Sequence, residues 1–275
     1  MGISKLRNIQ LAELEILKEI KRICEQNGIT YYISGGTFLG AVRHKGFIPW
    51  DDDSDIAMPR SDYEKFIKLI KENPEITEFE LLNYKYDFDF PFYVTKLVDR
   101  KFLMIDESSV NKRKIPAWVD IFPLDGVPEK KNGFRFIFFK INLYLKRALY
   151  NISDFDNLVK IDKKNRPFIE KVAIEILKKI PLGKLMKPRE RMNKIDNALR
   201  KNSEKSSNYY MNFMGAYKFK SIIHKNVYGE GKMYEFEGEQ FFGPKDYDTY
   251  LTIIYGDYMK LPPEHLRNVH NTRVE

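Results

Sequence analysis

Four aspartates in five positions, Asp51-Asp52-Asp53-Ser54-Asp55, run straight into the apolar stretch Ile56-Ala57-Met58. Residues 53–58 have the make-up of a strand, so Asp53 and Asp55, two apart, project from the same face. Carboxylates at that spacing repel one another unless they are protonated or bridged by a cation. Magnesium, a hard ion that takes oxygen ligands, is the expected bridge. A calcium loop counted from Asp51 fails, because Ile56 stands where glycine belongs and Asp62 where the bidentate glutamate belongs.

Two further features bear on the same chemistry. Residues 29–34, β-branched and aromatic, read as a strand; Gly35-Gly36 breaks it, and residues 37–43 read as a short helix. Glycines there let the backbone approach an anion, and the helix start offers free N–H groups. Later, Asp120 interrupts the apolar strand Trp118-Val119-Asp120-Ile121-Phe122. A carboxylate in such company needs a partner, which an arginine supplies as well as a metal. The glycine turn, the DxD strand and the later strand aspartate together make the plan of a nucleotidyltransferase-type site. In such sites two metal ions bridge the carboxylates and a nucleotide's phosphates.

The remaining pattern is α/β (α+β), with helices on a mixed sheet. Leu11, Leu14, Leu17, Ile20 and Ile23, with Leu6, Ile16 and Cys24 near the same stripe, predict a helix over 4–27 that stops at Gly28. Ser61 and Glu64 have capping-box spacing for a helix to 71. Residues 79–84, 92–98, 102–105 and 117–122 read as strands, the last stopped by Pro123. Helices follow over 132–150, 168–180 and 188–205. Aromatic strands occupy 233–242, and a last helix opens near Pro244 and ends at Gly256. The expected division is a catalytic α/β core over 1–128, a basic helical segment over 129–205, and a segment over 206–275 that completes the cleft, so the second half is mainly helical.

Charge sharpens this division. The net charge is +8, yet residues 129–205 carry 21 lysines and arginines against nine acidic residues, leaving −4 for the rest. An anionic partner is implied. The segment has no nucleic-acid motif, so nucleic acid is not expected; its mix of bulky apolar and cationic residues suits an anionic membrane surface. No apolar run approaches the ~18–20 residues of a membrane-spanning helix, and the first twenty residues lack the apolar core of a secretory signal. A cytoplasmic location is expected, with peripheral contact at the inner face of the membrane. Cys24 is the single cysteine, which excludes an internal disulfide.

The run from Ser34 through Gly35-Gly36-Thr37, Arg43-His44-Lys45 and Trp50 to Ile56 closely resembles the signature of the LicD family. The resemblance continues at Val119-Asp120-Ile121-Phe122-Pro123-Leu124-Asp125-Gly126, at Phe236-Glu237-Gly238, and from Tyr255-Gly256-Asp257-Tyr258 to Pro263. Ser54 departs from the family's usual aliphatic residue; pointing away from the metals, it is expected not to matter. Members of the family are phosphocholine transferases of bacterial surface polysaccharides, with the fukutin-related proteins as distant relatives. The resemblance implies a nucleotidyltransferase-like fold. It also implies transfer of phosphocholine from CDP-choline to a sugar hydroxyl of a teichoic-acid, capsule or lipopolysaccharide precursor, with release of CMP. Ribitol phosphate or glycerol phosphate from CDP-activated forms is the alternative cargo.

By position, Asp53 and Asp55 would hold magnesium, with two ions expected, and Asp120 would be a third ligand or the base. Asp51 and Asp52 would order the loop or an outer shell. Gly35, Gly36 and Thr37 would cradle the diphosphate, with Arg43, His44 and Lys45 on phosphate. Trp50, Trp118, Tyr255 and Tyr258 are the candidates for the choline cation, and Arg267 and His270 could reach the site. The acceptor sugar is expected on a lipid carrier.

Overall fold

The computed structural model describes residues 5–88, 90, 92–106, 113–129, 133–154, 175, 186–264, 267 and 272–274. At the centre of its mixed sheet two strands run side by side in the same direction. They are β2 (Ser54–Pro59) and β5 (Arg113–Gly126), in register with Asp55 opposite Asp120 and Ile56 opposite Ile121. Parallel strands need a crossover. Here it includes helix α3 (Arg60–Glu72) and the antiparallel strands β3 (Glu80–Leu82) and β4 (Thr95–Asp106). Strand β1 (Tyr32–Ile33) flanks β2, and β10 (Thr272–Val274) pairs with β4, giving the order β1-β2-β5-β4-β10. Strands β6 (Tyr209–Met211) and β7 (Ile223–His224) extend the sheet from the end of β5.

The first helix, α1 (Lys5–Asn27), buries Leu14, Leu17, Ile20, Ile23 and Cys24 in the main core. Gly28, at φ +57°, ends it. Leu11 shares the three-residue spacing but is exposed. The same core takes in helix α2 (Gly35–His44) and the hairpin of β8 (Lys232–Phe236) and β9 (Glu239–Gly243). A second core joins α4 (Phe134–Ser153) to α5 (Pro188–Arg200), with Phe136, Phe139 and Leu143 packed among Met192, Ile195 and Leu199. The stretch 168–180, read as a helix, lies outside the described residues apart from Glu175.

Four sequence expectations are corrected. Pro123 does not stop its strand. It falls between the last β4 partner, Thr95 on Ile121, and the first β6 partner, Met211 on Asp125, so on that side its missing N–H leaves no neighbour unbonded. The two strands predicted over 92–98 and 102–105 are one, irregular between Asp99 and Leu103. Ser61 caps nothing: Pro59 holds the cap position and α3 begins at Arg60. The last helix, α6 (Tyr247–Tyr255), opens well after Pro244, because the Asp246 side chain accepts from the Thr249 N–H at 3.1 Å.

Arg60 begins α3 where its guanidinium can serve both cores. Its Nε and Nη2 donate to the two oxygens of Asp125 on β5 at 2.7 and 2.8 Å, and Nη1 reaches Asp196 of α5 at 3.0 Å. Tyr93, Lys85 and Arg200 also bond Asp196. Burial works against the Asp196 charge, but Arg60, then Lys85 and Arg200, outweigh it and hold that carboxyl down at about 2.

Candidate active site

The aspartate run forms the approach to β2 and is fastened from behind by α1. Gln10 Nε2 donates to the Asp51 carbonyl at 3.0 Å, and the Asp51 N–H turns back to the Ile48 carbonyl. The Ser54 hydroxyl donates to Oε2 of Glu13 at 2.8 Å. Ser54 does point away from the neighbouring carboxylates, but it is not idle: it is the hydrogen-bond partner of a completely buried glutamate. Burial, opposed by the Ser54 bond and reinforced by Asp53, Asp52 and Asp51, pushes the Glu13 carboxyl well above its ordinary range.

From in front, α2 points its N-terminus at the same carboxylates. A Cβ at Gly35 would sit 2.3 Å from Asp55 Oδ2, and one at Gly36 would sit 2.5 Å from Asp51 Oδ2. The anions that approach these glycines here are the chain's own. Thr37 is buried and its hydroxyl accepts the Asp55 N–H at 2.8 Å, while the Ser34 N–H donates to the Asp55 carbonyl. Gly35 also has φ +56°, so Gly35→Ala meets both a clash and a left-handed backbone. It should lose about 1–2 kcal/mol in a denaturant melt. An unchanged midpoint would contradict the close approach.

Asp51, Asp52 and Asp53 each bring a carboxylate oxygen within 4.8 Å of the other two. Among the described residues this triplet is the one group of three acidic side chains so close together, whereas Asp51 and Asp52 were expected only to order the loop or an outer shell. Burial, then the charges of Asp53, Asp120 and Asp51, push the Asp55 carboxyl well above its ordinary range, with Lys96 opposing. Asp120 has a partner, but a lysine. Lys96, its neighbour on β4, donates to Oδ1 at 2.5 Å and lies 4.2 Å above the Trp118 ring. An all-oxygen donor set of this charge suits a hard divalent cation.

Other expected residues are spread around this centre. Arg43, His44 and Lys45 stand at the far end of α2. Arg43 donates to the Tyr258 carbonyl at 2.8 Å, and burial, then Arg43, pushes the His44 pKa down. Trp50 stands edge-on to His44 and carries the Arg267 guanidinium 4.8 Å above its ring. Tyr255 packs on Tyr217, and the Tyr258 hydroxyl donates to Asp248 at 2.7 Å. His270 lies outside the described residues.

Sequence reasoning missed Lys96, Glu13, Tyr217 and Tyr250; the Tyr250 hydroxyl accepts from the Gly35 N–H at 3.4 Å. It noted Glu237 without a role. That carboxylate binds the Arg7 guanidinium and accepts the Phe47 N–H at 3.0 Å, bracing the loop that leads to the aspartates.

The sequence model described as LicD/FKTN/FKRP, nucleotidyltransferase domain, matches residues 28–162. The lipopolysaccharide cholinephosphotransferase LicD of Haemophilus influenzae is 31% identical over 97% of this chain and 96% of its own length. The chain belongs to the LicD family. Its LicD relatives extend thinly to animals: the human ribitol 5-phosphate transferase FKRP is 41% identical over 49 residues, 16% of this chain and 10% of that protein. An uncharacterized protein of Rickettsia prowazekii, RP689, is 35% identical over 86 residues, 31% of this chain and 30% of that protein. As a LicD-family member the chain is a transferase.

Proposed function

We propose that this transferase moves phosphocholine from CDP-choline to a sugar hydroxyl of a bacterial surface glycan precursor and releases CMP. The observation that carries the reading is the convergence of Asp51, Asp52, Asp53 and Asp55 on the N-terminus of α2, with Asp120 beside Asp55 on the next strand. The name of the Haemophilus relative, matched over nearly the whole chain, supports phosphocholine as the cargo.

Asp51, Asp52, Asp53 and Asp55 would hold magnesium, which supplies positive charge against the donor's phosphates when bound. The chain's own groups do the rest. The N–H groups at the start of α2 orient the diphosphate. Asp120 takes the proton of the acceptor hydroxyl as its oxygen attacks phosphorus and the bond to CMP breaks. Lys96 fixes the direction of the Asp120 carboxylate. Ribitol phosphate is the second reading, favoured by the short FKRP match.

Calorimetric titration with CDP-choline, CDP-glycerol, CDP-ribitol and CTP, each with magnesium and with EDTA, tests this. Magnesium-dependent preference for CDP-choline is expected. Equal binding of all four would remove the choline assignment, and tighter CDP-ribitol would install the second reading.

The acceptor, on a lipid carrier, would be met at the inner face of the membrane. No helix among the described residues is long and apolar enough to cross a bilayer. Helix α4 does turn Phe134, Ile137, Phe138, Ile141, Leu145 and Leu149 to the outside, opposite the face packed on α5, with Arg135 and Lys146 among them. That is the make-up of a helix lying in an anionic interface. The protein is expected to float with phosphatidylglycerol vesicles at low salt, and Phe138→Glu/Ile141→Glu should stay in the pellet fraction. Wild type that never floats would sink the membrane contact.

A further inference from the structure

The choline headgroup is a permanent cation with no N–H to donate, so a site for it must work through ring faces and a carboxylate rather than hydrogen bonds. The aromatic residues that the sequence offered for this task are already engaged. Lys96 sits on Trp118 at 4.2 Å and Arg267 on Trp50 at 4.8 Å, so each indole already carries one cation of the chain's own. The Tyr258 hydroxyl is spent on Asp248.

A different group of rings meets the requirement. Behind the Asp55 end of β2 lies a partly enclosed cleft whose walls include Phe122, Tyr217, Tyr228 and Tyr250. Among its described lining residues there is one carboxylate, Asp55, and no cation. Tyr228 and Tyr250 stand 5.8 Å apart at 84°, so their rings make a corner, and Tyr217, edge-on to Tyr255, stands exposed beside it. The Tyr250 hydroxyl is tied to the Gly35 N–H, which fixes that ring relative to the start of α2. Gly35 and Asp55 line both this cleft and the aspartate centre. A headgroup seated here is therefore next to the phosphoryl group it carries on a two-carbon linker.

We infer that this cleft, walled by Phe122, Tyr217, Tyr228 and Tyr250 around Asp55, is the seat of a quaternary-ammonium headgroup and discriminates choline from uncharged alcohols. The inference rests on the phosphocholine reading for its biological ligand, but the cleft's preference for the cation is measurable without any nucleotide.

Saturation-transfer NMR with tetramethylammonium, choline and 3,3-dimethylbutan-1-ol, the uncharged isostere of choline, provides the test. Both cations should bind wild type, choline about tenfold tighter than its neutral isostere, on the scale of a desolvated cation–ring contact. Tyr217→Leu should weaken both cations about tenfold, and Tyr217→Phe, which keeps the ring, by less than twofold. Phe122→Leu, at another wall, gives the same readout if Tyr217→Leu fails to fold. No response to tetramethylammonium, equal binding of the isostere, or binding indifferent to the loss of both rings would each overturn the inference. The two readings fail separately. Cation binding lost with the Tyr217 ring, in a protein that ignores CDP-choline, keeps the cleft and removes the donor. CDP-choline and CDP-glycerol binding alike, with no ammonium response, keeps a cytidine donor and removes the cleft.

Discussion

Asp53→Asn is expected to lower turnover at least ~1,000-fold, the scale of losing a group that acts on developing charge, while the melting temperature in EDTA stays level or rises. The two effects share one cause. Asp53 stands with Asp51 and Asp52 in a triplet of carboxylates and adds its charge to the burden on Asp55. Removing one negative charge relieves repulsion in the metal-free protein and, under the proposed magnesium site, would remove a ligand. Asp120→Asn should lose comparable activity but behave differently on heating. Its carboxylate is the charge partner of Lys96, and both side chains are largely buried, so the lysine keeps the Trp118 ring but loses its counter-charge, at roughly 1–3 kcal/mol. Turnover assays beside thermal melts in EDTA check both; retained activity in either variant would break the site as described.

Arg60→Leu should be the most destabilising single change outside the site, at about 3–5 kcal/mol. The leucine fills part of the space, but Asp125 and Asp196, both buried, lose the cation between them. The loss should appear as detachment of α5 from the sheet, read by hydrogen exchange in that helix. The acid limb of stability gives an independent check. Asp196 is held at about 2, below its ordinary 3.8, so it stabilises the fold above pH 4 and this contribution disappears as pH falls from 3.8 towards 2. The contribution is roughly 2 kcal/mol. In Arg60→Leu the acid limb should be shallower, because the largest attraction on Asp196 is gone. An equally steep acid limb would mean that Lys85 and Arg200 suffice.

The parts of this molecule that were legible in its sequence are those set by local pattern. Helix α1 declares itself through three-residue spacing and a glycine stop, and β2 through charged residues running into apolar ones. The turn at Gly35-Gly36 could be read as a close approach, though not that Asp51 and Asp55 make it. What stayed hidden depends on register and long-range packing. Lys96 looks like an ordinary strand lysine until β4 is laid against β5 with Asp120 opposite. Glu13 looks like a surface residue of a charged helix, and only the position of Ser54 explains its burial. Tyr217 and Tyr250 carry no motif of their own; Tyr250 reaches the centre through the packing of α6 on α2, and Tyr217 through its contact with Tyr255 of α6. Pro123 misled because the rule against proline in strands presumes a partner on the side where this strand has none.

The brace of Glu237 on Arg7 and Phe47, and the contact of Tyr250 with Gly35, span more than 180 residues. For a chain made from its N-terminus, this sets the order of events. Asp53 and Asp120 emerge from the ribosome long before the residues that brace their loop and wall their cleft. A truncated product that stops before β8 carries every aspartate of the candidate site but lacks Glu237 and Tyr250, which hold its surroundings in place.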